Sequence, residues 1–216
     1  MLSCEAAGIT PNFIFVASEN CSDNSLDLLK AFKNSEILLY DDRQAELQIL
    51  PDGTRELRRW DSGRVELMVR LRNFLLCSVR SVAPDAFLSL DSDILIHPDL
   101  VKNLLQSLEN YDAVGGRCYM YHMGTREPSY GSLDSRDFVR GEDLGFVCDA
   151  GVLMAIKMMT CPAYGVDYDF HHLGEDIGWS LSCRQKGLRL GWDGRIINKH
   201  LLYPDMLDRI DDRVGF

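Results

Sequence analysis

The sequence predicts a three-layer α/β/α domain around a mostly parallel central sheet. Three observations predict it. Short β-rich apolar runs alternate along the chain with segments of helical period. The length of 216 residues fits a single domain at roughly 100 to 200 residues per domain. Apolar residues make up 46% and charged residues 26%, a globular balance that excludes collagenous and wholly disordered chains.

The elements follow in order. Residues 1–8 read as the end of a helix. Residues 12–17 (NFIFVA) are β-rich and run into a polar turn, after which Leu26, Leu28, Leu29 and Phe32 give a helical pattern that Asp23 or Ser25 can cap. A turn at Asn34-Ser35 precedes an apolar strand at 37–40. Alternating segments at 45–50 and 54–60 flank Pro51-Asp52-Gly53, the strongest short-range hairpin signal in the chain, read as an inserted flap. Val65, Leu67, Met68, Leu71, Leu75, Leu76 and Val79 carry the spacing of a helix. Pro84-Asp85 breaks it before a strand at 86–90, and helical period resumes over 100–108. A strand at Ala113-Val114 leads into turn-rich residues 115–140, expected to be a long loop that lines or covers a site and carries Tyr119, Tyr121, His122 and Tyr130. The apolar run 151–159 (GVLMAIKMM) fits either a strand or a helix. A helix over 175–186, with Ile177, Leu181 and Arg184 on one face, stops at Gly187. Separate strands are expected at 188–192 and 195–197, then an acidic tail from 203 to 216. In open α/β sheets ligands sit beyond the carboxyl ends of the strands.

The net charge of −10 disfavours a nucleic acid as the main partner, because a phosphate backbone is bound chiefly through basic residues. No apolar run approaches the ~20 residues of a membrane helix, and none follows a basic leader, so the expected chain is soluble, unexported and without a transmembrane segment. The seven cysteines include no CxxC pair and suit reduced thiols in the cytoplasm.

Two acidic segments carry the chemistry. In Leu88-Ser89-Leu90-Asp91-Ser92-Asp93 an apolar strand runs into two carboxylates two residues apart, which on extended backbone point the same way. Such a pair needs a cation or a shared proton, and hard oxygen ligands suit Mg²⁺ or Mn²⁺ bridging substrate phosphates. An exposed acidic turn has the same spacing. Glu175-Asp176 opens a helix, where the dipole stabilises negative charge. His200, after the last strand, is either a metal ligand or a surface histidine.

The order of these pieces resembles GT-A fold glycosyltransferases, especially the large inverting family numbered two. The run FIFVASENCSDNSLDLL at 13–29 is similar to its V-D-x-x-S-x-D-x-T segment, and Arg70 to Leu75 to its A-R-N helix. Leu90-Asp91-Ser92-Asp93-Ile94 resembles its DxD motif, and Gly174 to Trp179 its xED motif. Arg184 to Gly187 fits R-x-x-G, and His200 fits a C-terminal histidine. The resemblance implies a Rossmann-like GT-A fold and a metal-dependent, inverting transfer of a sugar from a UDP- or GDP-sugar to a hydroxyl acceptor. Asp91 and Asp93, with Ser92 between them, would meet the donor diphosphate and its Mn²⁺ or Mg²⁺, Asp93 most directly, with His200 as a further metal ligand. Glu19 would lie near the nucleobase with Asp23 closing its loop, and Arg72 and Asn73 near the diphosphate and ribose. Asp176 would deprotonate the acceptor, with Glu175 as its understudy.

Two departures from the family stand out. Its opening strand has no counterpart before residue 9, which would remove one wall of the nucleotide pocket, and Glu19 replaces the usual Asp. Two rival functions remain: a sugar nucleotidyltransferase, which would require a Gly-rich basic N-terminal loop that residues 1–12 lack, and a catalytically impaired nucleotide-sugar-binding domain.

Overall fold

The computed structural model describes residues 2–41, 62–122, 125–129 and 147–201. The expected flap at 45–60 and the acidic tail from 203 lie outside the described residues, as does the part of the expected loop from 130 to 140. The described elements are α1 (Leu2–Ala6), β1 (Phe13–Ser18), α2 (Ser25–Lys30), β2 (Ser35–Tyr40), α3 (Ser62–Val82), β3 (Phe87–Leu90), β4 (Ile94–Leu95), α4 (Leu100–Ser107), β5 (Ala113–His122), β6 (Thr125–Ser129), β7 (Val147–Asp149), β8 (Ile156–Met159), α5 (Cys161–Tyr164), α6 (Glu175–Gln185) and β9 (Leu190–His200).

The chain is a mixed α/β fold. β1 and β2 pair in parallel, joined by α2 as the local sequence predicts. The larger sheet has the order β3-β8-β5-β9-β4, with β6 added to β5 and β7 to β9. It is mixed rather than mostly parallel. β5 and β9 are parallel, but β8 lies antiparallel between β3 and β5. The crossover through α4 therefore does deliver β5 in the same direction as β3, as helical crossovers require. What local pattern could not show is that β8, from much later in the chain, slots between them in the opposite sense.

Helices cover both faces, because neighbouring residues on a strand point to opposite sides. Ala113 and Met159 join α3, α5 and α6 through Leu76, Val79, Ala163, Tyr164, Trp179 and Cys183. Val114 and Met158 join α4 through Leu100, Val101 and Leu104 on the other side. There Ser3 of α1 accepts a hydrogen bond from the Val101 amide at 3.0 Å, fixing α1 to the start of α4. Ile14 of β1 packs against the first of these cores.

Three local expectations are corrected and one open alternative is settled. The described residues of 115–129 are strand rather than a long loop: β5 continues to His122, and its partner β6 runs from Thr125 to Ser129. The glycines that resemble a break lie within strand β5 and are closely packed. A Cβ on Gly115 would stand 3.0 Å from Leu153 Cδ2, and one on Gly116 3.1 Å from Leu100 Cδ1. The ambiguous apolar run yields a strand, β8, with every residue buried. Residues 190–200 form one strand rather than two. Helix α6 does stop at Gly187, whose φ of +77° suits glycine, but Leu181 and Arg184 are exposed while Ile177, Trp179, Ser180 and Cys183 are buried.

Candidate functional site

The site is built where β3, β8 and α6 meet on the α3 side of the sheet. Ser89 of β3 pairs with Lys157 of β8, and both point toward α3 and α6. Arg72, on α3 and nearly buried, donates from Nη1 to Ser89 Oγ at 3.4 Å and from Nη2 to Asp91 Oδ1 at 2.5 Å. Its Nε, which has no hydrogen-bond partner, lies 3.8 Å from Glu175 Oε1. One guanidinium thus joins the acidic segment after β3 to the acidic start of α6. Burial pushes the Arg72 pKa down, but Asp91, Tyr168, Asp176 and Glu175 together hold it above its ordinary value.

Asp176 is held from two directions. Lys157 Nζ donates to Oδ1 at 2.5 Å, and the Ala155 amide donates to Oδ2 at 3.0 Å. Ala155 takes a left-handed φ of 39° in making this approach, a conformation that L residues adopt only at a cost. Lys157 is fully buried, with Nζ 5.8 Å from the ring centroid of Tyr168, and Tyr168 stacks on Trp179 at 5.7 Å. Burial raises the Asp176 pKa, yet the charges of Lys157 and Arg72 and the hydrogen bonds from Lys157 and Ala155 outweigh it and hold the group below the ordinary carboxylate range. Glu175 goes the other way: burial and then its neighbour Asp176 raise it, against the opposing pull of Arg72. Neighbouring carboxylates therefore differ in protonation tendency, a common mark of functional sites.

Asp91 and Asp93 do not share one partner. Residues 91–93 form a turn rather than extended backbone, so the two-residue alternation does not apply. Asp91 faces Arg72. Asp93 Oδ1 lies 3.1 Å from His200 Nε2, because β4 pairs with the end of β9 and sets Ile94 opposite His200. His200 is buried, and neither ring nitrogen makes a well-aligned hydrogen bond. Ser92 is exposed between the two aspartates. Among the described residues no group of three or more His, Cys, Asp or Glu is arranged to hold a metal.

The remaining expected residues have local roles in this structure. Asn73 uses both ends of its amide on the backbone of Tyr168, donating to its carbonyl at 2.9 Å and accepting from its amide at 2.7 Å. This bracing holds the segment before α6 against α3. Glu19 is exposed just past β1, where its amide donates to the Tyr40 carbonyl at 2.9 Å. Asp23 is exposed too and accepts from the Ser25 amide at 2.9 Å and Cys21 Sγ at 3.0 Å. Hydrogen bonding from the Ser25 side chain, then from Cys21 and the Ser25 amide, lowers its pKa to about 2. The structure thus brings together Arg72, Asp91, Glu175 and Asp176, and separately Asp93 and His200.

Sequence reasoning missed Lys157, Tyr168 and Ser89. The signal for Lys157 was present: a single ammonium between Ile156 and Met158 in an otherwise apolar run can be buried only with a counter-charge. Locating that counter-charge on α6 needed the fold.

No family model matches the chain, and no curated protein matches it. Among solved structures, the crystal structure of A197 from STIV is similar, with a TM-score of 0.51 at 17% identity, covering 89% of this chain and 87% of that one. At that identity the likeness is one of fold. No helix among the described residues is long and apolar enough to cross a membrane.

Proposed function

We propose that the protein is a metal-dependent GT-A type glycosyltransferase that moves a sugar from a UDP- or GDP-sugar to a hydroxyl acceptor with inversion. The observation that carries the reading is the convergence of two distant acidic segments, Asp91 and Glu175-Asp176, on Arg72. It lies at the carboxyl end of β3, and His200 closes the carboxyl end of β9, which runs in the same direction. Ligands of α/β sheets bind at such ends.

Asp93 and His200 are the residues that would hold Mn²⁺ or Mg²⁺. Their separation of 3.1 Å and the absence of a well-aligned hydrogen bond on the buried His200 ring fit that role. A hard cation that arrives with substrate phosphates needs only one or two protein ligands. Bound there, the ion would neutralise the leaving diphosphate. Asp91 is engaged by Arg72, whereas Asp93 stands beside His200, and that position makes Asp93 the more direct ligand of the two.

Asp176 would accept the acceptor's proton. Its lowered pKa makes it a weaker base than one tuned to neutral pH, but ensures that it is ionised there. Glu175 holds its proton more tightly and is the deeper of the two, with 4% of its side chain exposed against 11% for Asp176. The test is turnover of a UDP- and GDP-sugar panel with Mn²⁺. Asp176→Asn should retain donor binding and lose ~10²- to 10⁴-fold in transfer, the usual contribution of a general base, while Glu175→Gln loses less. Consumption of no donor with any divalent metal would overturn the reading.

A further inference from the structure

We propose that Lys157 is a positioning residue that keeps Asp176 ionised and fixed at the acceptor side of the site. The proposal rests on the glycosyltransferase reading for its catalytic meaning, and on geometry for its substance.

β8 is a buried strand, and Ile156, Met158 and Met159 around Lys157 are the apolar residues that such a strand calls for. An ammonium at 157 is costly there. Replacing a buried ion pair by apolar residues of similar volume is often neutral or stabilising, so packing alone gives no reason for the pair. The two partners also differ in access. The Lys157 side chain is 0% exposed while that of Asp176 is 11% exposed, so an incoming ligand can meet the carboxylate but not the ammonium.

The carboxylate is held along its whole edge. Lys157 takes Oδ1 and the Ala155 amide takes Oδ2. Behind it, Ser180 Oγ donates to the Asp176 carbonyl at 2.8 Å and accepts from the Leu153 amide at 3.0 Å. The hydrogen bonds donated by the Ala155 and Leu153 amides tie the start of α6 to the segment that leads into β8. Every element packed around Asp176 brings a charged or titratable group: Lys157 from β8, Arg72 from α3, Tyr168 from the segment before α6, Glu175 from α6 itself, and Asp91 from the turn after β3, which reaches it through Arg72. Of the two cations only Lys157 touches Asp176, because Arg72 is committed to Asp91 and Ser89. Burial alone would favour the neutral acid. Lys157 brings the largest opposing charge and a direct hydrogen bond, to which Arg72 and the Ala155 amide add.

The experiment follows the Asp176 carboxyl by carbon-13 NMR titration in the wild type, Lys157→Met and Lys157→Arg, and measures the pH profile of transfer in the same proteins. In the wild type Asp176 should titrate below the ordinary Asp range. Lys157→Met should move that titration upward past the ordinary range, and the acid limb of kcat should move upward with it. Lys157→Arg should restore both in part. A wild-type Asp176 that titrates at or above the ordinary range overturns the proposal even if Lys157→Met does not fold, and in that case Lys157→Arg supplies the comparison. Unchanged titration in a folded Lys157→Met also overturns it. If no nucleotide sugar is turned over, the glycosyltransferase reading fails, while the titration still decides whether Lys157 controls Asp176.

Discussion

Arg72 reaches across from the middle of α3 to Asp91, 2.5 Å from Nη2 to Oδ1, and that contact joins a helix to the turn after β3 in the interior of the protein. The guanidinium also faces Glu175, so removing it would strand two partly or fully buried carboxylates at once. Breaking a buried pair by deleting one partner costs about 3–5 kcal/mol. Arg72→Met should therefore destabilise the protein by about that amount in urea denaturation. Adding Asp91→Asn in the same chain should recover part of the loss. A cost below about 1 kcal/mol, the value of an exposed pair, would show that Arg72 is not the bridge described.

Glu175 gives a prediction of opposite sign. Its pKa is raised in the folded state above the ordinary 4.5, so ionising it costs stability. That cost is absent below the unfolded-state value and present in full once pH exceeds the folded-state value. Glu175→Gln should therefore raise the melting temperature at neutral pH, with the gain shrinking as pH falls toward 4.5. Asp176, lowered from 3.8, behaves conversely: its stabilisation is present above that value and disappears as pH falls through the lower folded-state pKa. Thermal melts of wild type and variant across this window check the sign, and a Glu175→Gln protein less stable at pH 7 than at pH 4, relative to wild type, contradicts it.

Gly178 provides a purely steric test. A Cβ there would land on the carbonyl oxygen of Asp169, because the segment before α6 crosses directly over its first turn. Gly178→Ala must push that segment away, and with it the Tyr168 backbone that Asn73 holds. Overpacking of this kind costs ~1–3 kcal/mol, here against any gain in helix propensity. A stabilised Gly178→Ala, as expected of a solvent-facing helical glycine, would show that the crossing is wrong.

Much of this arrangement was legible in the sequence wherever it depended on neighbours along the chain. The unit β1–α2–β2, the long α3 with Arg72, the apolar α4 and the α6 stop at Gly187 all follow from period and punctuation. The two acidic segments were found because each follows a recognisable boundary. What local pattern could not supply was partnership. Gly115 and Gly116 resemble a loop until Leu153 and Leu100 are seen against them. The insertion of β8 between β3 and β5 is a long-range choice, and with the antiparallel pairings of β4, β6 and β7 it makes the sheet mixed rather than mostly parallel. The same insertion sets Lys157 beside Ser89, which is why the cation that engages Asp176 escaped notice while Asp176 did not. Asp91 and Asp93 were expected to act together, but the turn between them sends one toward Arg72 and the other toward His200.

The central claim, a metal-dependent site for a nucleotide sugar at Asp93 and His200, is tested most directly by titration calorimetry. UDP- and GDP-sugars are titrated into the wild-type protein with Mn²⁺, into the same protein in EDTA, and into Asp93→Ala with Mn²⁺. The account predicts that at least one donor binds with Mn²⁺, that the heat is lost in EDTA, and that Asp93→Ala weakens binding ~10-fold or more, at least the 1.4 kcal/mol that a tenfold change represents. Without the ion a diphosphate would meet the Asp93 carboxylate as like charge against like. Equal affinity in Mn²⁺ and EDTA, or no binding of any donor under either condition, would contradict it.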